Sequence, residues 1–195
     1  MNIETRLREI LAENRTAIEK TFQDGNLQVM RSVAQEMAEV LKRRGTVFLC
    51  GNGGSAADAQ HIAAEFIGRF KHERKSLPAI ALTTDTSILT ALANDYSYDI
   101  VFARQIEGLG NPGDLLIAIS TSGNSKNILE AVKKAKEIGM KTVGFTGEGG
   151  GKLAGMTDLV FRASSKNTSH IQETHITALH AISEIVEEMF AQHAS

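Results

Sequence analysis

Cys50 is the only cysteine in the chain, so no disulfide can form within it, and nothing in the sequence argues for an oxidising compartment. Placed at the end of the apolar run "TVFLC", it reads as a small buried residue closing a strand. An excess of either charge is also missing. Lys+Arg number 21 against 23 Asp+Glu, a formal net charge of -2, which leaves no electrostatic footprint for nucleic acid or an anionic membrane. No window approaches the ~18 apolar residues that cross a bilayer. The N-terminal "MNIETRLREILAENR" is charged throughout, where a signal peptide would have an apolar core. A soluble, cytoplasmic protein is expected, without a nucleic-acid or membrane partner. With no internal repeat, low-complexity tract or obvious linker, 195 residues at 42% hydrophobic read as one domain over 1–195.

Ile3, Leu7, Ile10, Leu11, Ile18 and Phe22 fall near one helical face, as do Leu27, Met30, Val33, Met37, Val40 and Leu41. Residues 1–44 therefore read as two amphipathic helices, 3–22 and 27–41, joined near "DGN". From 45 onward, short apolar and β-branched runs at 46–50, 79–84, 114–120, 141–146 and 158–163 alternate with helical segments at 55–70, 86–93, 102–108 and 125–138. Gly139 stands where a helix C-cap is expected, and a long helix over about 170–191 closes the chain. Runs apolar on both faces and separated by helices predict a doubly wound, flavodoxin-like α/β domain with a five-stranded parallel sheet.

Two loops follow predicted strands and enter predicted helices, the place where open parallel sheets bind ligands. The first, "GNGGS" at 51–55, lets the backbone approach a ligand closely; Ser55 is expected to cap the helix, with Asp58 at capping-box spacing. Ala56 stands where a dinucleotide fingerprint needs glycine, and the Gly-Lys-Ser/Thr ending of a Walker loop is absent. The second, "STSGNS" at 120–125, sets four hydroxyls beside a helix N-terminus, which suits a phosphomonoester without requiring a lysine. Together they favour a sugar phosphate over a nucleotide.

His61 and Glu65 are spaced i, i+4, about 40° apart around a helix, so both side chains can converge on one point above the strands. Such a pair is commonly a modest surface contact; its position beside the glycine loop makes it a candidate for chemistry. Gln172, His175 and His180 recur among apolar residues of the last helix, as a polar seam or as part of a site. Aldose-ketose isomerisation needs a base for carbon and an acid for the carbonyl oxygen, and these residue types supply both. His72, in the basic stretch "RFKHERKS", reads as a solvated loop residue, and His170 and His193 suggest no role.

The stretches "CGNGGSAADAQHIAAEF", "LTTDTSILTALAND", "ISTSGNS" and "IQETHITALH", in this order and at these separations, resemble the sugar isomerase (SIS) family. The likeness is strongest to its phosphoheptose isomerases, which convert sedoheptulose 7-phosphate to D-glycero-D-manno-heptose 7-phosphate for bacterial surface polysaccharide. The resemblance spans essentially the whole chain. It implies substrate contacts from Asn52, Gly53, Gly54, Glu65, Asn94, Asp95, Ser120, Thr121, Ser122, Ser125 and Gln172. It further implies one zinc ion per subunit at His61, Glu65, Gln172 and His180, Glu65 as base, His180 as acid, and a homotetramer. Gln172 and His180 are eight residues apart, about 12 Å along one straight helix. A single metal could hardly take both from one chain, and a site built from more than one subunit is therefore expected. Two alternatives stay open: a non-catalytic sugar-phosphate regulator or scaffold, like the relative that binds the bacterial replication initiator, or an isomerase of another sugar phosphate.

Overall fold

The computed structural model describes residues 1–191; residues 192–195, and His193 with them, lie outside the described residues. Two N-terminal helices, α1 (Ile3–Thr21) and α2 (Asp24–Lys42), precede an alternation of strands and helices. In chain order these are β1 (Val47–Cys50), α3 (Gly54–Ile67), β2 (Ala79–Ala81), α4 (Thr86–Asp95), α5 (Val101–Leu109), β3 (Leu115–Ile119), α6 (Lys126–Ile138), β4 (Lys141–Thr146), β5 (Leu159–Arg162) and α7 (Thr168–Ala191). All strand pairings are parallel, in the order β2-β1-β3-β4-β5.

Strand residues alternate between two cores, which is why these runs are apolar on both faces. Val47, Leu49, Leu115, Ile117 and Phe145 pack with α2, α3 and α7. Phe48, Cys50, Leu116 and Ala118 pack with α5 and α6, with Leu89 and Leu92 of α4 against them. Burial pushes the Cys50 thiol up to about 12, leaving it an inert core residue. Gly139 caps α6 at φ 92, a left-handed conformation that favours glycine.

Three expected boundaries move for identifiable reasons. "DGN" forms the first turn of α2 instead of the joint, because the chain turns at Phe22 and Gln23. The second strand ends at Ala81, and Leu82 to Thr84 turn away from the sheet. Helix α3 stops at Ile67, where Gly68 closes it with its N–H on the Ala64 carbonyl, and residues 68–74 become a separate loop. No helix among the described residues is long and apolar enough to cross a membrane. Ile3, Leu7, Ile10 and Leu11 of α1 are exposed, so the N-terminal half of this helix's apolar stripe has no cover within the described residues, whereas Ile18 is half-buried and Phe22 packs on the core.

Candidate active site

In the order β2-β1-β3-β4-β5, the connection leaving β1 goes to one face of the sheet and that leaving its neighbour β3 goes to the other. Such a switch point opens a crevice at the carboxyl edge. Both loops singled out in the sequence lie there. A Cβ on Gly51 would collide with the Ser55 carbonyl, and Gly53, at φ 57 and ψ -123, adopts a conformation closed to most side chains. This turn starts α3 at Gly54, one residue before Ser55, so Ser55 is buried inside the first turn and does not cap it. No side chain caps α3, and Asp58 forms no capping box. Asp58 instead has a buried Oδ2 without a hydrogen-bond partner, and burial pushes its carboxyl up to about 6 against the opposing pull of His61.

Across the crevice, the Ser120 and Ser125 hydroxyls lie 3.0 Å apart, and Ser125 begins α6 without a capping bond of its own. Thr121 is half-buried; Ser122 is exposed, its hydroxyl accepting from the Asn124 N–H. The two loops are clasped by a reciprocal amide pair between Asn52 and Asn127, with Nδ2–Oδ1 distances of 2.9 and 2.8 Å. The Tyr98 hydroxyl donates to the same Asn52 Oδ1 at 3.4 Å. Sequence reasoning missed Asn127 and Tyr98, because neither carries a local signal. Asn94 and Asp95 end α4, exposed and hydrogen-bonded to each other at 2.8 Å.

Helix α7 packs beside α3 and runs in the same direction, as two contacts show. Near its start, the Gln172 amide faces the first loop so closely that a Cβ on Gly54 would sit 2.6 Å from Nε2. Two turns on, His180 reaches His61, with Nε2 to Nε2 at 3.3 Å, and His61 Nε2 lies 3.1 Å from Glu65 Oε1. One ligating atom from each of His61, Glu65 and His180 falls within 4.8 Å of the others, all in one chain. Two imidazole nitrogens cannot both donate across 3.3 Å. A cation that takes both lone pairs and the carboxylate charge satisfies all three, and two histidines with one carboxylate suit zinc. Burial holds His180 below its ordinary value, with the neighbouring His61 adding to the effect and Glu65 opposing it.

His175 does not join this cluster: it is buried among Phe145 and Phe161, with Nε2 on the Thr146 carbonyl. His72 is exposed, as expected of a loop residue, and His170 is buried.

A family profile described as "SIS domain" matches residues 10–147. The chain belongs to the SIS domain family. Its relatives include the phosphoheptose isomerase of Roseiflexus sp. (strain RS-1), 59% identical over 156 residues, which are 80% of this chain and 79% of that one. The phosphoheptose isomerase of Helicobacter pylori (strain P12) is 50% identical over 94% of this chain and 95% of its own. Among solved structures, the phosphoheptose isomerase of Neisseria gonorrhoeae superposes with a TM-score of 0.91 at 42% identity, covering 96% of this chain and 100% of that one. This SIS domain is therefore a member of the phosphoheptose isomerase branch.

Proposed function

We propose that this SIS domain interconverts sedoheptulose 7-phosphate and D-glycero-D-manno-heptose 7-phosphate. The observation that carries the reading is the meeting of His61, Glu65 and His180 beside two loops at the switch point, in a chain half or more identical to named phosphoheptose isomerases. Ser120, Thr121, Ser122 and Ser125, with the uncapped start of α6, receive the phosphate. Asn52, Gly53, Gly54, Asn94, Asp95 and Gln172 face the hydroxyls of the sugar. Oε1 of Glu65 is turned to His61, which leaves Oε2 to take the proton from C1 of the ketose and return it to C2. His180 supplies a proton to the C2 oxygen as the enediol forms and takes one back from the C1 oxygen as the aldehyde appears, which restores it for the next turnover. When bound at His61, Glu65 and His180, zinc would supply Lewis-acid stabilisation of the enediolate oxygens.

The exposed stripe on α1 supports a homo-oligomer, read as a tetramer. By its likeness to named phosphoheptose isomerases we read the protein further as a cytoplasmic enzyme that supplies heptose precursors for surface polysaccharide. The deciding experiment is conversion of sedoheptulose 7-phosphate by the purified protein beside Glu65→Gln, with bound metal quantified in both. Turnover should fall about a hundred- to ten-thousand-fold in a folded variant. Undiminished turnover by Glu65→Gln would remove Glu65 from the mechanism, and an inactive, metal-loaded parent would refute the heptose reading.

A further inference from the structure

The loop that follows α3 is tied down by a group that the reaction itself does not use. Glu187 of α7 is fully buried, and a buried carboxylate is tolerated only where donors meet it. Its Oε1 accepts the Phe70 N–H at 2.8 Å, and its Oε2 accepts those of Lys71 and His72 at 2.6 and 2.9 Å. Nε of Arg74 lies 3.2 Å from Oε1, and both side chains are almost wholly enclosed. The other end of that guanidinium donates to the carbonyls of Glu65 at 2.7 Å and Phe66 at 2.9 Å. One buried ion pair thus joins the end of the helix that carries Glu65 to the helix that carries His180.

What this anchoring presents to the site is Phe70. Its ring stacks on the His180 imidazole at 5.5 Å between centroids and 9° between planes. His61 meets the same imidazole at 4.8 Å and 74°. Rotation of His180 about its last side-chain bond would break the stack, so the ring is held in the plane that points Nε2 at His61. Sub-ångström placement of reacting groups matters, since a 1 Å error can cost about a hundredfold in rate.

We propose that Phe70 is a positioning residue for His180, held over the site by Glu187 and Arg74. This rests on the reading of His180 as part of the reacting centre. The test compares the parent, Phe70→Ala and Phe70→Tyr in three measurements: kcat and KM for sedoheptulose 7-phosphate, zinc affinity by competition with a chromophoric chelator, and the thermal midpoint of the zinc-free protein. Phe70→Ala leaves every Glu187 bond to the backbone in place, so its midpoint should stay within a few degrees of the parent. Its kcat should fall by about tenfold or more with KM nearly unchanged, and its zinc affinity should fall with it. Phe70→Tyr keeps the stacking ring and should restore both. Parental kcat and zinc affinity in Phe70→Ala, or a tyrosine variant as impaired as the alanine one, would overturn the proposal. If the parent itself does not convert the heptulose phosphate, the isomerase reading fails, and the zinc affinities of the three proteins still decide whether Phe70 positions His180.

Discussion

Acid should destabilise this protein through His175, a histidine outside the reacting centre. Its Nε2 lies 2.9 Å from the Thr146 carbonyl, so Nε2 carries the proton and Nδ1 is bare. Nδ1 is buried without a hydrogen-bond partner, and Phe145 and Phe161 stand edge-on at 5.6 and 6.2 Å. A second proton would have to sit on Nδ1, dry and without an acceptor. Burial accordingly lowers its pKa from 6.5 to about 4, against the Thr146 bond that favours the charged form. In the unfolded chain the group takes up a proton at its ordinary value, so between 6.5 and about 4 the unfolded state binds more protons. The contribution is fully present above pH 6.5 and is lost as the pH falls through about 4. The gap between these values is worth about 3 kcal/mol. Asp58 acts in the opposite sense: its pKa is raised from 3.8 to about 6, so acid relieves a cost there and partly masks the effect. The comparison must therefore be with His175→Gln, which keeps a donor for Thr146 and does not titrate. Denaturant unfolding of both proteins, zinc-free and at one fixed concentration, should show the parent losing about 3 kcal/mol relative to the variant between pH 7.5 and pH 4. Parallel stability curves would refute the assignment of a buried, neutral His175.

Two further predictions concern the site and the assembly. In Gly54→Ala, the new methyl would meet the Gln172 amide at 2.6 Å; that amide is the far end of a flexible side chain that can give way, and at the first residue of α3 the propensity gain is small. Stability should hardly change while kcat/KM for sedoheptulose 7-phosphate drops about tenfold or more, and an unimpaired variant would show that Gln172 has no role at the first loop. Leu7→Glu combined with Leu11→Glu places charge on the exposed α1 stripe. The mass in solution by light scattering should fall below that of the parent, and an unchanged mass would place the interface elsewhere.

The centre of the sheet was legible because β1 and β3 are buried on both faces and so carry unbroken apolar runs, as at Leu115–Ile119, whereas the edge strands β2 and β5 are partly exposed. The pairing of His61 with Glu65 was equally legible, since i, i+4 spacing on a helix decides it locally. What brings His180 to them was not. It lies 119 residues from His61, and periodicity tells which face of α7 is apolar but not which helix lies beside it. Gln172 stands two turns before His180 on α7, with its amide beside Gly54. Ser55 misled because a serine after glycines looks like a cap, whereas the positive φ at Gly53 moved the helix start forward. Glu187 left a trace that could have been followed. It stands seven residues after His180, on the same face, one turn beyond the buried Ser183. An acidic residue at such a position needs donors from outside its own helix, and the segment 69–75, which holds Arg69, Lys71, Arg74 and Lys75, is the basic stretch of the chain. The same charge pairing that would have located the loop also explains why α3 ends where it does: the amides of Phe70, Lys71 and His72 are bound to a carboxylate of α7 and are not available to continue the helix.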